Sequence, residues 1–141
     1  MPTYLSNKMQ PGVVARAGMG TQSVSGEYTV APALILNDLV HLCRLPANSV
    51  VRDVMVSSNG TQSGADSVFT VGDSVDEDRY ITTAAGTALR TGGGVARLNA
   101  TTGLNFQNTA ETILYLKVTT VGTGQTTGGV IKFSVIYDMQ A

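Results

Sequence analysis

Two runs in the last third of the chain alternate apolar and polar residues one by one, a period that suits a strand buried on one face and no helix. In residues 112–121, Leu114, Leu116 and Val118 fall on one side and Tyr115, Lys117 and Thr119 on the other. In residues 130–137, Ile131, Phe133, Val135 and Tyr137 oppose Lys132 and Ser134. The GTGQTTGG stretch at 122–129 reads as a long turn that joins the two runs into a hairpin.

Upstream, short runs rich in Val, Thr, Ile, Tyr and Phe are separated by Gly, Asn, Asp and Ser, the pattern of strands and turns. Strands are expected over 28–31, over 38–45 up to Pro46, over 50–57 up to Asn59 and Gly60, and over 67–71 up to Gly72 and Asp73. Residues 79–83 and 95–98 make shorter edge candidates around a loop with Gly86 and the triplet Gly92, Gly93 and Gly94. Helix has little room. Residues 33–36 are too few, and 82–89 carry β-branched residues and Gly86, so one turn is the most either place allows. The expectation is an all-β fold of two packed sheets, a β sandwich or jelly roll more than a meander barrel, with Leu39, Val54, Val56, Phe69, Val71, Ile81, Leu114, Leu116, Val118, Ile131, Phe133 and Val135 in its core. No repeat of constant period points to a propeller or solenoid.

A chain of 141 residues can bury one core without a staple, and the lone Cys43 offers neither a disulfide nor paired thiols for zinc. Residues 1–26 show neither helical nor strand periodicity and are punctuated by Pro2, Pro11, Gly12, Gly18, Gly20 and Gly26. They read as an extended arm before a domain over 27–141. The arm's apolar residues Tyr4, Leu5, Met9, Val13, Val14 and Met19, with Arg16, are candidates for packing on a neighbouring subunit. Neither a signal-like apolar core in the first residues nor a run of roughly 18 apolar residues is present, so a soluble protein with no membrane partner is expected.

Nine Lys and Arg against ten Asp and Glu give a net charge of −1, and 13% charged residues is low for an isolated surface. No basic footprint for nucleic acid exists. Low charge beside 43% hydrophobic residues suits a surface that a partner covers.

Catalytic chemistry finds little to work with. His41, the single histidine, lies two residues from Cys43 in a candidate strand, which would put both on one face with tips about 7 Å apart, too far for a nucleophile and its base. A buried structural pair is the simpler reading. The densest charge is in VGDSVDEDRYI, where Asp73, Asp76, Glu77, Asp78 and Arg79 could gather around a hard cation. A turn accounts for the same residues: Gly72 and Asp73 end a strand, Asp side chains close Asx turns, and Arg79 balances the acids. We read Gly72, Asp73, Asp76, Asp78 and Arg79 as a structural turn, with no metal and no cofactor. The glycine triplet lacks the GxxxxGK[ST] pattern and a following helix, so it is no phosphate loop.

The order of these motifs resembles the cement, or minor capsid decoration, proteins of short-tailed bacteriophages. The resemblance runs over most of 27–140 and rests on Val71, Gly72, Asp73, Asp76, Asp78, Arg79, Tyr80 and Ile81, and on Leu45, Pro46, Val51, Asp53 and Val54. It implies a non-enzymatic jelly-roll protein of the virion, made in the host bacterial cytoplasm. Such a protein is often a homodimer that binds the major capsid protein on the outer surface of the icosahedral head. The rival from another class is a host-surface or carbohydrate-binding β-sandwich module of a phage tail, which the absence of Trp disfavours. A hydrolase using the acids of 73–78 is the other rival.

Overall fold

The computed structural model describes residues 3–9, 20–30, 33–58, 68–86, 94–121 and 129–139. The strands are β1 (Thr3–Leu5), β2 (Gly20–Thr29), β3 (Leu39–Leu45), β4 (Ser49–Ser58), β5 (Val68–Gly72), β6 (Gly94–Arg97), β7 (Gln107–Asn108), β8 (Thr112–Thr120) and β9 (Val130–Met139); α1 (Thr83–Gly86) is a single turn. One sheet has the order β1-β3-β8-β5 and the other β2-β9-β4-β6, with β7 also paired to β4. From β2 to β5 the chain changes sheet at every step, and it changes again between β8 and β9. This double-sheet winding is a jelly roll.

The alternation of β8 and β9 supplies the two inner faces. Leu114, Leu116 and Val118 meet Ile131, Phe133, Val135 and Tyr137 in one apolar cluster, with Val40 and Leu45 of β3, Val54 and Val56 of β4, and Phe69 and Val71 of β5. All twelve expected core residues are buried except Leu39, which is half-buried on the outer face of its sheet. Between the sheets the reversals use Asn37 and Asn48, at φ 68° and 66°, a left-handed backbone that Asn tolerates better than most residues.

Several expectations change. Residues 112–121 and 130–137 do not form a hairpin: β8 and β9 lie in different sheets, because each needs a partner brought from far along the chain. Residues 79–83 contribute one bridge, Ile81 to Val71, before α1 begins. The arm boundary at residue 26 falls inside β2, which pairs residue for residue with β9 from Gly20↔Met139 to Thr29↔Val130. Its inward positions are Gln22, Val24, Gly26 and Tyr28, too mixed to show an apolar period.

Residues 3–9 also belong to the domain. β1 adds to β3 in parallel, the Ser6 amide donates to the His41 carbonyl at 2.9 Å, and the Ser6 hydroxyl donates to the Leu42 carbonyl. Asn7 then exchanges two bonds with the Glu27 backbone on the other sheet, at 3.0 and 2.9 Å. The segment straps the two sheets together, and Gly26 is where it passes: a β-carbon there would lie 2.4 Å from Asn7 Oδ1 and 2.8 Å from the Phe133 ring.

Candidate functional site

The turn after β5 is built around Asp73. Its Oδ1 accepts the amides of Val75 and Asp76 at 2.9 and 3.0 Å, and its own amide donates to the Asp76 carbonyl at 3.0 Å. Its Oδ2 accepts from Arg79 Nε at 2.7 Å, in a pair whose side chains are only 4% and 10% exposed. Gly72 is required by what covers it, since a β-carbon would fall 2.2 Å from the Asp76 carbonyl oxygen. Asp76 stands 4.0 Å from Arg79, and the exposed Asp78 donates its amide to Asp76 Oδ1 at 3.4 Å. Hydrogen bonding with the Asp76 carboxyl holds the Asp78 pKa above its ordinary value.

A residue from far along the chain lies over this turn. Arg79 lays its guanidinium 3.8 Å above the centre of the Phe106 ring, a cation–π contact that covers the ring face. Phe106 is 27 residues away with no local pattern linking the two. Both oxygens of Asp73 are taken by amides and Arg79, and among the described residues no three of His, Cys, Asp and Glu come together as a metal site would need.

His41 and Cys43 are not on one face. A β-bulge between them puts the extra residue Leu42 into the strand, so His41 pairs with Tyr115 on the outer face while Cys43 pairs with Leu114 on the inner one. Burial pushes the Cys43 thiol up to about 12, which keeps it protonated and unreactive. Burial, and then Arg44, lower the His41 pKa.

His41 and Tyr115, stacked with centroids 6.0 Å apart, lie in the floor of a cleft of about 680 Å³ on the outer face of the four-stranded sheet. Leu39 and Ile113 extend that floor, the turn at 73–75 forms one wall, and residues 106–112 form the other. Val75 stands on the rim, 87% exposed. Two ion pairs contribute to the lining of the cleft: Asp73 with Arg79, and Glu111 with Arg44 at 3.3 Å. Tyr115 is 9% exposed and the Phe106 face is occupied, so neither offers the open ring on which a sugar stacks. The outer face of the five-stranded sheet carries the half-exposed Val95 among polar groups. Ser25 bonds Ser134 there, and Arg52 holds Asp138 at 2.6 Å beside the exposed pair of Arg97 and Asp53.

Of the arm residues, Met9 is buried in its own domain and Tyr4 packs against Tyr28 at 5.8 Å, so both are largely spent within the chain. Leu5 is half-exposed. Val13, Val14, Arg16 and Met19 lie outside the described residues.

No protein-family model and no curated protein matches the chain. Two solved structures are similar to it along almost its entire length. One is a chain of the capsid of Ralstonia phage GP4, with a TM-score of 0.80 and 17% identity, covering 99% of each chain. The other belongs to the cyanophage Pam1 capsid asymmetric unit, with a TM-score of 0.73 and 20% identity, covering 99% of this chain and 100% of that one. At these identities the likeness is one of fold: this chain has the same two-sheet architecture, end to end, as chains found in two phage capsids.

Proposed function

We propose that the protein is a structural component of a bacteriophage virion, with no enzymatic role. It binds the outer surface of the icosahedral head as a cement protein, ties neighbouring copies of the major capsid protein together, and acts as a homodimer. The observation that carries this reading is the end-to-end likeness to chains of two phage capsids, with neither chain leaving a domain unmatched. The low charge and the absence of an assembled nucleophile and base around His41 and Cys43 support it. On this reading the half-exposed Leu5 meets the shell, and Val13, Val14, Arg16 and Met19 are the further residues proposed to contact it.

The test is to add the purified protein to heads that lack it and sediment the particles. Saturable binding at a fixed ratio to the major capsid protein, with a higher temperature of particle rupture, is the expected result. Protein that stays in the supernatant at every concentration defeats the proposal.

A further inference from the structure

The outermost strands of the two sheets differ in how their unpaired sides are protected. β5 is covered where Tyr80 and Ile81 bond Val71, β1 is three residues long, and β6 is four residues long with Arg97 in it. β2 runs for ten residues beside β9 with no register shift, no proline, no lysine and no arginine. In such an antiparallel ladder, successive residues point their amide and carbonyl alternately toward the partner strand and away from it. Val30 gives its amide to Gly129 in continuation of the β9 ladder, whereas Glu27 turns its amide and carbonyl outward to Asn7. Thr21, Ser23 and Ser25 share the phase of Glu27, so their backbone groups also point outward, and among the described residues nothing bonds them. The hydroxyls of Thr21 and Ser25 are tied across the sheet to Asp138 and Ser134, so they do not cap this edge.

We infer that the edge of β2 from Thr21 to Ser25 is a docking site for an extended segment of the shell protein, which adds to the five-stranded sheet as a further strand. This rests on the cement reading above and names a surface through which it acts. The occupant follows from the groups on offer. Three outward amide and carbonyl pairs about 7 Å apart are matched by another extended backbone, which can form up to about six hydrogen bonds with them. No side chain from 21 to 25 is charged, so the edge favours an uncharged segment. Asn7 shows the mode in miniature: its amide and side-chain oxygen serve Glu27 as a neighbouring strand would, and Lys8 and Met9 then turn back on Ser6. The same strap joins the edge of β1 to the edge of β2, so the half-exposed Leu5 and the open edge lie on one side of the sandwich.

Amide exchange and binding to undecorated heads, both on the full chain, test the assignment. In the free protein the amides of Thr21, Ser23 and Ser25 should exchange freely while those of Gln22 and Val24, on the β9 side, are protected; on heads all five should be protected. Binding is compared for wild type, Ser23→Pro, Ser23→Lys and Ser23→Ala. Proline removes an outward amide that β9 does not use, lysine obstructs edge pairing, and alanine removes only the hydroxyl. The expected result is binding at least about tenfold weaker for Ser23→Pro and Ser23→Lys at an unchanged melting temperature, with Ser23→Ala binding like the wild type. If Ser23→Pro melts lower, Ser23→Lys carries the same test. Ser23→Pro and Ser23→Lys proteins that bind as well as wild type, or a Ser23→Ala protein that loses binding with them, overturn the inference and spare the cement role. Edge amides already protected in the free protein also overturn it: protection that fades on dilution means that a second copy holds the edge, and protection that persists means that the chain itself does. Wild type that ignores heads defeats the cement role and the inference with it.

Discussion

Tyr115 of β8 donates its phenolic hydrogen to the main-chain carbonyl of Asp73 across 2.6 Å, so the turn after β5 is held from the neighbouring strand as well as from within. The bond is buried. Tyr115→Phe should lower stability by about 1 kcal/mol, read as a shift of the urea midpoint with the slope unchanged.

Within the turn, the two acids differ sharply in weight. Asp73→Ala strands the Arg79 guanidinium in a buried site and should cost about 3–5 kcal/mol. Asp76 is more exposed and 4.0 Å from Arg79, so Asp76→Ala should cost under about 1 kcal/mol. Excess chelator should leave the melting temperature of the wild type unchanged; a drop that calcium restores would mean the acids hold a cation.

His41 gives stability a pH dependence of known sign. Its folded pKa is lowered, first by burial and then by Arg44, so below about pH 6.5 the unfolded chain takes up a proton that the folded chain resists. Stability is lost as pH falls through that window and levels off below the folded pKa. His41→Gln should flatten this part of a melting-temperature profile taken between pH 8 and 5, leaving only the carboxylate titration at the acid end.

Cys43 is 1% exposed, with its thiol pKa pushed up to about 12. It should resist alkylation in the native protein at neutral pH and react stoichiometrically in denaturant. Modification of the native protein at the rate of a free thiol would show that the inner face of β3 opens.

The first residues should matter for folding. Ser6 and Met9 are buried and the strap touches both sheets, so deletion of residues 3–9 should lower stability by roughly 2 kcal/mol, the order expected for exposing one large apolar side chain. An unchanged thermal melt would return these residues to a free arm.

Much of this architecture is legible where one side of a strand is apolar throughout. The faces of β8 and β9 follow from their period, and Pro46, Gly72 and Asp73 mark strand ends correctly because each acts on its own backbone. The members of the turn are legible for the same reason: Asx bonds and the pairing of Asp73 with Arg79 span only a few residues. What lies beyond local rules is hidden. The bulge at Leu42 reverses the relation of His41 to Cys43, and nothing in LVHLCRL announces it. β2 is masked by Gln22 and Gly26 on its inner side, and β1 and β7 are too short to carry a period. The cleft is assembled from β3, β8, the turn after β5 and residues 106–112, so no segment of the sequence contains its shape.

Among the described residues, no two strands consecutive in the chain are neighbours in a sheet. β9 lies between β2 and β4, and β8 between β3 and β5. A break between β5 and β6 would leave the second piece with no paired strands and the first with only the short β1–β3 ladder. No fragment is a seed on which the rest could grow. Each adjacency must be reached by closing a long loop before any contact rewards it, so the domain should fold as one slow event, in the range of about milliseconds to seconds typical of such all-β topologies.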